Sequence, residues 1–541
     1  MYWLCHKNVV PAPMCRSATP GRLTRRFCFA GIFACFVLLT GCVVNPVTGQ
    51  RELGFVSTEQ QIQVGEQQYL PAQQMQGGQY GVHPEVTAYV QRVGQRLAAV
   101  SDIALPYEFV VLNSSVPNAW ALPGGKLAIN RGLLTELRNE AELAAVLGHE
   151  IVHAAARHGA KAMERGMVTQ VLVVGVAIGA GGGDYANAAL GAAQTAAGLL
   201  NQKYGRDAER ESDYYGTRYM AEAGYDPYAA VTLQETFVRL SEGRDADWVE
   251  GLFSSHPPSE ERVANNRRLV AELRKEGYIG GDFGADAYQS AMRQLRADTD
   301  AYKASDEASR ALQDGKLDEA QTLIQNALNL QPAEPTFHGL RGDLRLEQKR
   351  YDDAVINYDR AIERDPAYFV YYLGRGVARA RLDQHAEAKA DLGRSVELLP
   401  TAVAYQELGA IAELEGDIDE AVRYYQIASQ GGGPAGQAAL VKAVRLDLPR
   451  NPGRYVETRL GQDASGRLIL QIYNSTPVSL MDVRVRVDVR TVAGDTLRYD
   501  RKLTRLEPGQ RQQLVVTEDA AAFSDARAAV VEARSDTKAE P

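Results

Sequence analysis

The sequence predicts a multidomain chain: a mostly helical α+β domain, an α-helical repeat solenoid, and a C-terminal antiparallel β-sandwich. Three observations predict it. The length of 541 residues calls for three or four domains at roughly 150 residues each. A 34-residue period runs through the middle of the chain, and a two-residue alternation marks its final stretch. Composition agrees, since 45% hydrophobic and 23% charged residues describe a globular chain rather than a disordered or polytopic membrane one. The net charge is −9, and residues 1–41 carry five basic residues and no acid, so the remainder stands at −14. An acidic body argues against nucleic acid as a partner, because phosphate contacts need clustered Lys and Arg.

Residues 1–41 read as an export signal. A basic stretch at 16–26 precedes an apolar run at 27–39 and the sequence Leu39-Thr40-Gly41-Cys42. The apolar run is shorter than the roughly 20 residues a bilayer span requires. The five cysteines are Cys5, Cys15, Cys28, Cys35 and Cys42, so any metal beyond residue 42 must be held by His and carboxylate. Leu-Thr-Gly-Cys resembles the lipobox of bacterial lipoproteins, which implies cleavage before Cys42 and acyl chains on it as a membrane anchor. Val43 lacks the Asp that resembles an inner-membrane retention signal, which favours the outer membrane of a Gram-negative envelope.

Residues 42–75 are polar and Gln-rich and are expected to form a lipidated tether or N-terminal extension. Residues 76–297 are mixed and mostly helical, with a strand-like stretch Lys126-Leu127-Ala128-Ile129-Asn130. Residues 298–445 carry the repeat. Ala320, Ala354, Ala388 and Ala421 share its spacing with Pro332, Pro366 and Pro400 and with Gly342, Gly376 and Gly409. A 34-residue helix-turn-helix unit with a small residue at the helix crossing and Pro after the second helix resembles the tetratricopeptide repeat. Four units fit, with a capping helix after Gly431-Gly432-Gly433. Such stacks present a concave surface to extended segments or partners. In residues 453–541, Val483, Val485, Val487 and Val489 alternate with Arg484, Arg486, Asp488 and Arg490, the pattern of a strand buried on one face. The arginines are expected to form a solvated sheet face.

The chemistry lies at His149-Glu150-Ile151-Val152-His153. Four residues advance a helix by about 400°, so both imidazoles share one face and can share one ion. Glu150 is placed to reach a water beside that ion without ligating it. The preceding turns, Ala141 to Gly148, read as a buried helix, where two His and a Glu need partners. His158 is nine residues from His149 and lies on the opposite side of the helix, so it is expected to be structural rather than a ligand. The third ligand is expected at Glu209, four residues before Asp213 on one helical face, with Asp213 orienting a ligating His. Glu211 is turned away from that face.

These motifs, with Asn118-Ala119-Trp120-Ala121-Leu122-Pro123-Gly124-Gly125 upstream and Ser254-Ser255-His256-Pro257 downstream, resemble the HtpX and CAAX-prenyl-protease family of zinc metallopeptidases over about residues 43–275. With the signal and the repeats, the chain is similar to the β-barrel assembly-enhancing proteases of the bacterial envelope. The lipobox and the C-terminal β domain depart from that pattern. The resemblance implies a zincin-type, gluzincin-like domain that binds one Zn²⁺ through His149, His153 and Glu209. It implies Glu150 as general base and then acid, Asp213 behind the ligands, and 126–130 as an edge strand that pairs with substrate backbone. It leaves His256 either stabilising the oxyanion or occupying the open metal position. Between the ligand motifs, the Ala- and Gly-rich stretch 166–200 is expected to be a hydrophobic helical hairpin acting as a lid.

Two functions follow. One is a membrane-anchored periplasmic zinc endopeptidase acting on unfolded or misassembled envelope polypeptides, with the repeats recruiting substrate or barrel assembly machinery. The other is a chaperone or scaffold whose zinc site is structural or latent. Prenyl-protein processing is disfavoured, since the multiple spans of the integral-membrane relatives are missing.

Overall fold

The computed structural model describes residues 42–165, 198–199, 204–241, 256–278, 280–517 and 523–536. The expected signal and nearly all of the expected lid, 166–200, lie outside the described residues. No helix among the described residues is long and apolar enough to cross a membrane.

The stretch expected as a tether or extension is built onto the first domain. Strands β1 (Cys42–Val44) and β2 (Arg51–Leu53) form an antiparallel hairpin. Helix α1 (Thr58–Met75) starts at a capping box in which Ser57 and Gln60 satisfy each other's backbone N–H groups. Helix α2 (Pro84–Ala98) leads to β3 (Glu108–Leu112), β4 (Ala119–Leu122) and β5 (Lys126–Asn130), which form one sheet in the order β3-β5-β4.

This order corrects the expectation for Lys126, Leu127, Ala128, Ile129 and Asn130. The strand is central, parallel to β3 and antiparallel to β4, and all five residues are buried. Its backbone groups are committed on both sides, so it cannot add a substrate strand. Its polar ends mislead because they bond within the domain: Lys126 pairs with Glu108, and Asn130 Nδ2 donates to the Val116 carbonyl at 2.8 Å. Among the described residues the terminal positions belong to β4 and to β3, whose outer side carries a bridge between Leu112 and Gln79.

Period-two alternation sends the sheet's side chains to two faces. Val110, Leu112, Trp120, Leu122 and Ala128 pack with Ala72 and Tyr69 of α1. Phe109, Val111, Leu127 and Ile129 join the main core. That core also holds Val86, Val90, Val93 and Leu97 of α2 and Leu143, Leu147 and Ile151 of α4 (Glu140–Ala155), which follows the short α3 (Arg131–Glu136). Helices α5 (Arg206–Glu222), α6 (Tyr228–Ser241) and α7 (Glu260–Lys275) complete the described part of this domain.

After α8 (Ala285–Ala291) and α9 (Arg293–Ala297), helices alternate with the predicted period. They are α10 (Thr299–Gln313), α11 (Leu317–Leu330), α12 (Pro335–Glu347), α13 (Tyr351–Arg364), α14 (Phe369–Arg381), α15 (His385–Leu398), α16 (Ala402–Leu414) and α17 (Ile418–Gln430). Helix α18 (Gly433–Asp447) is the expected cap. The periodic residues have a packing cause. A Cβ at Gly342 would lie 2.7 Å from the Tyr358 ring, and one at Gly409 would lie 2.8 Å from the Tyr425 ring. Ala320, Ala354, Ala388 and Ala421 are fully buried.

Contacts divide the chain into two units, the first reaching Leu382 and the second formed by Asp383–Val396 and the residues from Pro400 onward. Within the first, the early repeats are bonded directly to the α+β body. Fully buried Glu334 accepts from Asn113 Nδ2 at 2.8 Å and from the Tyr302 hydroxyl at 2.6 Å. Gln74 donates to the Ala367 carbonyl at 2.8 Å and accepts from the Phe369 N–H at 2.9 Å. Arg131 lies 3.3 Å from the centroid of the Tyr302 ring.

The second unit ends in two three-stranded antiparallel sheets. One runs in the order β10 (Arg511–Val515), β7 (Leu468–Asn474), β6 (Val456–Gln462); the other runs β11 (Phe523–Ser535), β8 (Leu480–Thr491), β9 (Thr496–Leu506). Leu470 and Ile472 of the first sheet share one apolar cluster with Val483, Val485, Val487 and Val489 of the second. Arg484 and Arg486 face outward and pair with Glu532 and Asp500, as a solvated sheet face should.

Candidate metal centre

Helix α4 carries the histidine pair through the core. Asn139 caps it by accepting from the Glu142 N–H at 2.9 Å, and Glu140 and Glu142 suit the positive end of the helix. Residues Ala141 to Ala155 are all buried, so the imidazoles point into protein rather than water. Nε2 of His149 and Nε2 of His153 are 3.0 Å apart.

The carboxylate arrives on α5 because that helix crosses α4 at two glycines. A Cβ at Gly148 would lie 2.8 Å from the Gly216 carbonyl oxygen, and a Cβ at Gly216 would lie 2.8 Å from the His149 nitrogen. The backbones therefore touch next to the first histidine. Glu209, in the first turn of α5, places Oε1 3.4 Å from His153 Nε2 and Oε2 3.5 Å from His149 Nε2. His256, just before α7, brings Nδ1 to 2.9 Å from Glu209 and 3.3 Å from His149 Nε2. Ligand atoms of His149, His153, Glu209 and His256 all lie within 4.8 Å of one another, and all four residues are buried.

A second tier fixes this arrangement. Asp213, one turn after Glu209, accepts from His149 Nδ1 at 3.0 Å, which leaves Nε2 facing the cluster. Arg262 forks onto Asp213 at 2.7 and 2.8 Å and reaches Glu209 at 3.1 Å. His158 is buried and is not among the converging donors; its Nδ1 lies 3.0 Å from His153 Nδ1 and its Nε2 3.4 Å from Glu211. Tyr204 lies against His153 with ring centroids 4.0 Å apart.

The donor set fits a divalent cation. Glu150, Glu209 and Asp213 put three buried carboxylates against the single guanidinium of Arg262. The groups respond to that deficit of positive charge. Burial opposes charge on His149, but Asp213 and Glu209 outweigh it and hold the imidazole up at about 10. Burial likewise opposes charge on Glu209, yet His256 and His149 keep it far below the usual carboxylate range. His153 is driven down by its burial. Oε2 of Glu150 is buried with no hydrogen-bond partner. Three imidazole nitrogens and a carboxylate oxygen suit a borderline divalent ion.

The structure places His149, His153, Glu209, Asp213 and His256 as neighbours; none of Arg262, Tyr204 or the Gly148–Gly216 contact is named in the sequence analysis. Arg262 carried one signal. A base in the first turn of a helix opposes the helix dipole and asks for an acidic partner. Replacing Asp213 with Ala is expected to weaken metal binding about 10–100-fold, read by competition with a chromophoric chelator.

A buried His/His/Glu set with a second glutamate beside the first histidine defines a metallopeptidase site. Residues 84–270 match the model of Peptidase family M48, and residues 305–369 match that of the Tetratricopeptide repeat. The chain is 33% identical over 261 residues to the mitochondrial metalloendopeptidase OMA1 of Schizosaccharomyces pombe, covering 47% of this chain and 72% of that protein. It is 27% identical over 409 residues to the beta-barrel assembly-enhancing protease of Escherichia coli K12, covering 66% and 84%. It is 30% identical over 196 residues to the metalloprotease YcaL of the same bacterium, covering 35% and 74%. The chain belongs to peptidase family M48.

Proposed function

We propose that this chain is a zinc endopeptidase of the Gram-negative envelope, anchored to the outer membrane through lipid on Cys42 and acting on misfolded or stalled envelope polypeptides. The observation that carries the catalytic reading is Glu150. It is buried beside the donor cluster, with one oxygen unpartnered and the other 3.6 Å from His256 Nε2. A carboxylate so placed has no use in a purely structural site. Zinc held by His149, His153 and Glu209 would supply the Lewis acid for peptide hydrolysis. Glu150 takes the proton of the attacking water and returns it to the leaving amine. Asp213 and Arg262 hold His149 and Glu209 in place throughout. Strand β4, which has no outer partner among the described residues, offers that edge to an extended peptide, a sequence-tolerant mode of holding unfolded chain. The envelope, the substrates and the recruiting role of the repeats are supported by the name of the Escherichia coli relative and by the signal-like N-terminal sequence.

The test is metal content together with casein cleavage by the purified full chain, before and after chelation. Zinc near one equivalent per chain, and cleavage lost on chelation and restored by zinc, is the expected result; cleavage indifferent to chelation would refute it.

One observation favours the latent-site reading. His256 adds a fourth donor to a set of three, and four protein donors make the closed arrangement of structural sites. In the reading proposed here His256 is a removable plug. Replacing His256 with Ala is expected to leave zinc bound by three residues and to raise the rate of casein cleavage; a loss of cleavage would instead assign His256 to the transition state.

A further inference from the structure

The β1–β2 hairpin is fastened on one side and apolar on the other. Its fastenings come from the segment that carries the metal ligands. Asn45, fully buried, donates to Glu211 of α5 at 3.0 Å, two residues after the ligand Glu209. Lys161 donates to Glu52 at 2.9 Å. Glu164 accepts from the N–H groups of Phe55 and Val56, each at 2.9 Å, and Arg157 donates to the Val56 carbonyl at 2.7 Å. Several of these bonds are charge-assisted, so the hairpin is held as part of the domain and not as a flexible leader.

Among the described residues the other side is uncovered. Of the fourteen exposed large hydrophobic residues among those described, Val44, Leu53 and Phe55 fall within twelve residues, with Leu53 75% exposed. The register pairs Val44 with Arg51, which puts both on one face of the hairpin, and Leu53, two residues along β2 from Arg51, shares that face. Arg51 is exposed and has no ion-pair partner among the described residues. Apolar side chains beside a free cation suit the boundary between lipid tails and anionic headgroups.

We infer that the outer face of this hairpin, formed by Val44, Arg51, Leu53 and Phe55, lies against the leaflet that holds the lipid on Cys42. The inference rests on the lipidation reading above and adds to it. A lipid on a loose leader would let the peptidase roam, whereas here Cys42 is three residues from Asn45, at most about 10 Å of chain. The catalytic centre is then held at a fixed, short height above the membrane. It meets polypeptide emerging at the bilayer surface.

The mature chain offers a clean probe site, because no cysteine follows Cys42. The variant L53C, carrying an environment-sensitive fluorophore, is placed in vesicles of phosphatidylethanolamine and phosphatidylglycerol with and without brominated lipid. L330C, at an exposed position of α11, serves as the comparison. Mass spectrometry of the same samples reads acylation of Cys42. The expected result is a blue-shifted emission at position 53, quenched at least twofold by brominated lipid, with position 330 unaffected. An acylated chain in which positions 53 and 330 behave alike would overturn the inference while leaving the anchor intact. An unacylated Cys42 would overturn both.

Discussion

Replacing Glu150 with Gln is expected to lower peptide hydrolysis by about 10²- to 10⁴-fold, the usual worth of a positioned general base, while zinc content stays at that of the unaltered chain. The substitution keeps the shape of the side chain and removes only its capacity to accept a proton. Glu150 is buried and is not one of the four converging donors, so its loss should not loosen His149, His153 or Glu209. The split between binding and turnover is the informative part. Casein cleavage and metal stoichiometry measured on the same sample would show it, and a variant that still cleaves at the original rate would remove Glu150 from the chemistry altogether.

The second large effect needs no ligand to be touched. Replacing Gly216 with Val is expected to destabilise the domain by on the order of 3 kcal/mol and to cost it the metal. The new Cβ would meet the backbone of Gly148 and His149 at 2.8–3.0 Å, and backbone cannot swing aside as a flexible side chain can. The helices α4 and α5 must part, which draws Glu209 away from both histidines at once. Denaturant unfolding and metal content would report the two losses together. Unfolding at the original midpoint with metal retained would mean the crossing has more room than the glycine contact implies.

How much of this was legible follows from which interactions are local. His149 and His153 are one helical turn apart, and so are Glu209 and Asp213; each pair announces itself because helix geometry alone puts its members on one face. The repeats were equally legible, since each unit faces its copy at a constant distance along the chain. Arg262 and Tyr204 were not, because what gives them meaning is 49 residues away in one case and 51 in the other. The strand at Lys126 failed for a related reason. Its three apolar residues form the unbroken run of a strand covered on both faces. The parallel partner that makes it central lies eighteen residues upstream, where nothing local points to it.

The bonds from Gln74, Asn113 and Arg131 to the early repeats bear on how the molecule can be taken apart. A fragment ended at residue 297 would lose Glu334 and Tyr302 and turn their former partners, together with the aromatic-covered guanidinium of Arg131, out to solvent. Proteolysis that vanished with the repeats would then report a damaged catalytic half as readily as a missing recruiter. Dissection by point changes on the repeat surface, away from those three residues, is the way to tell the two apart.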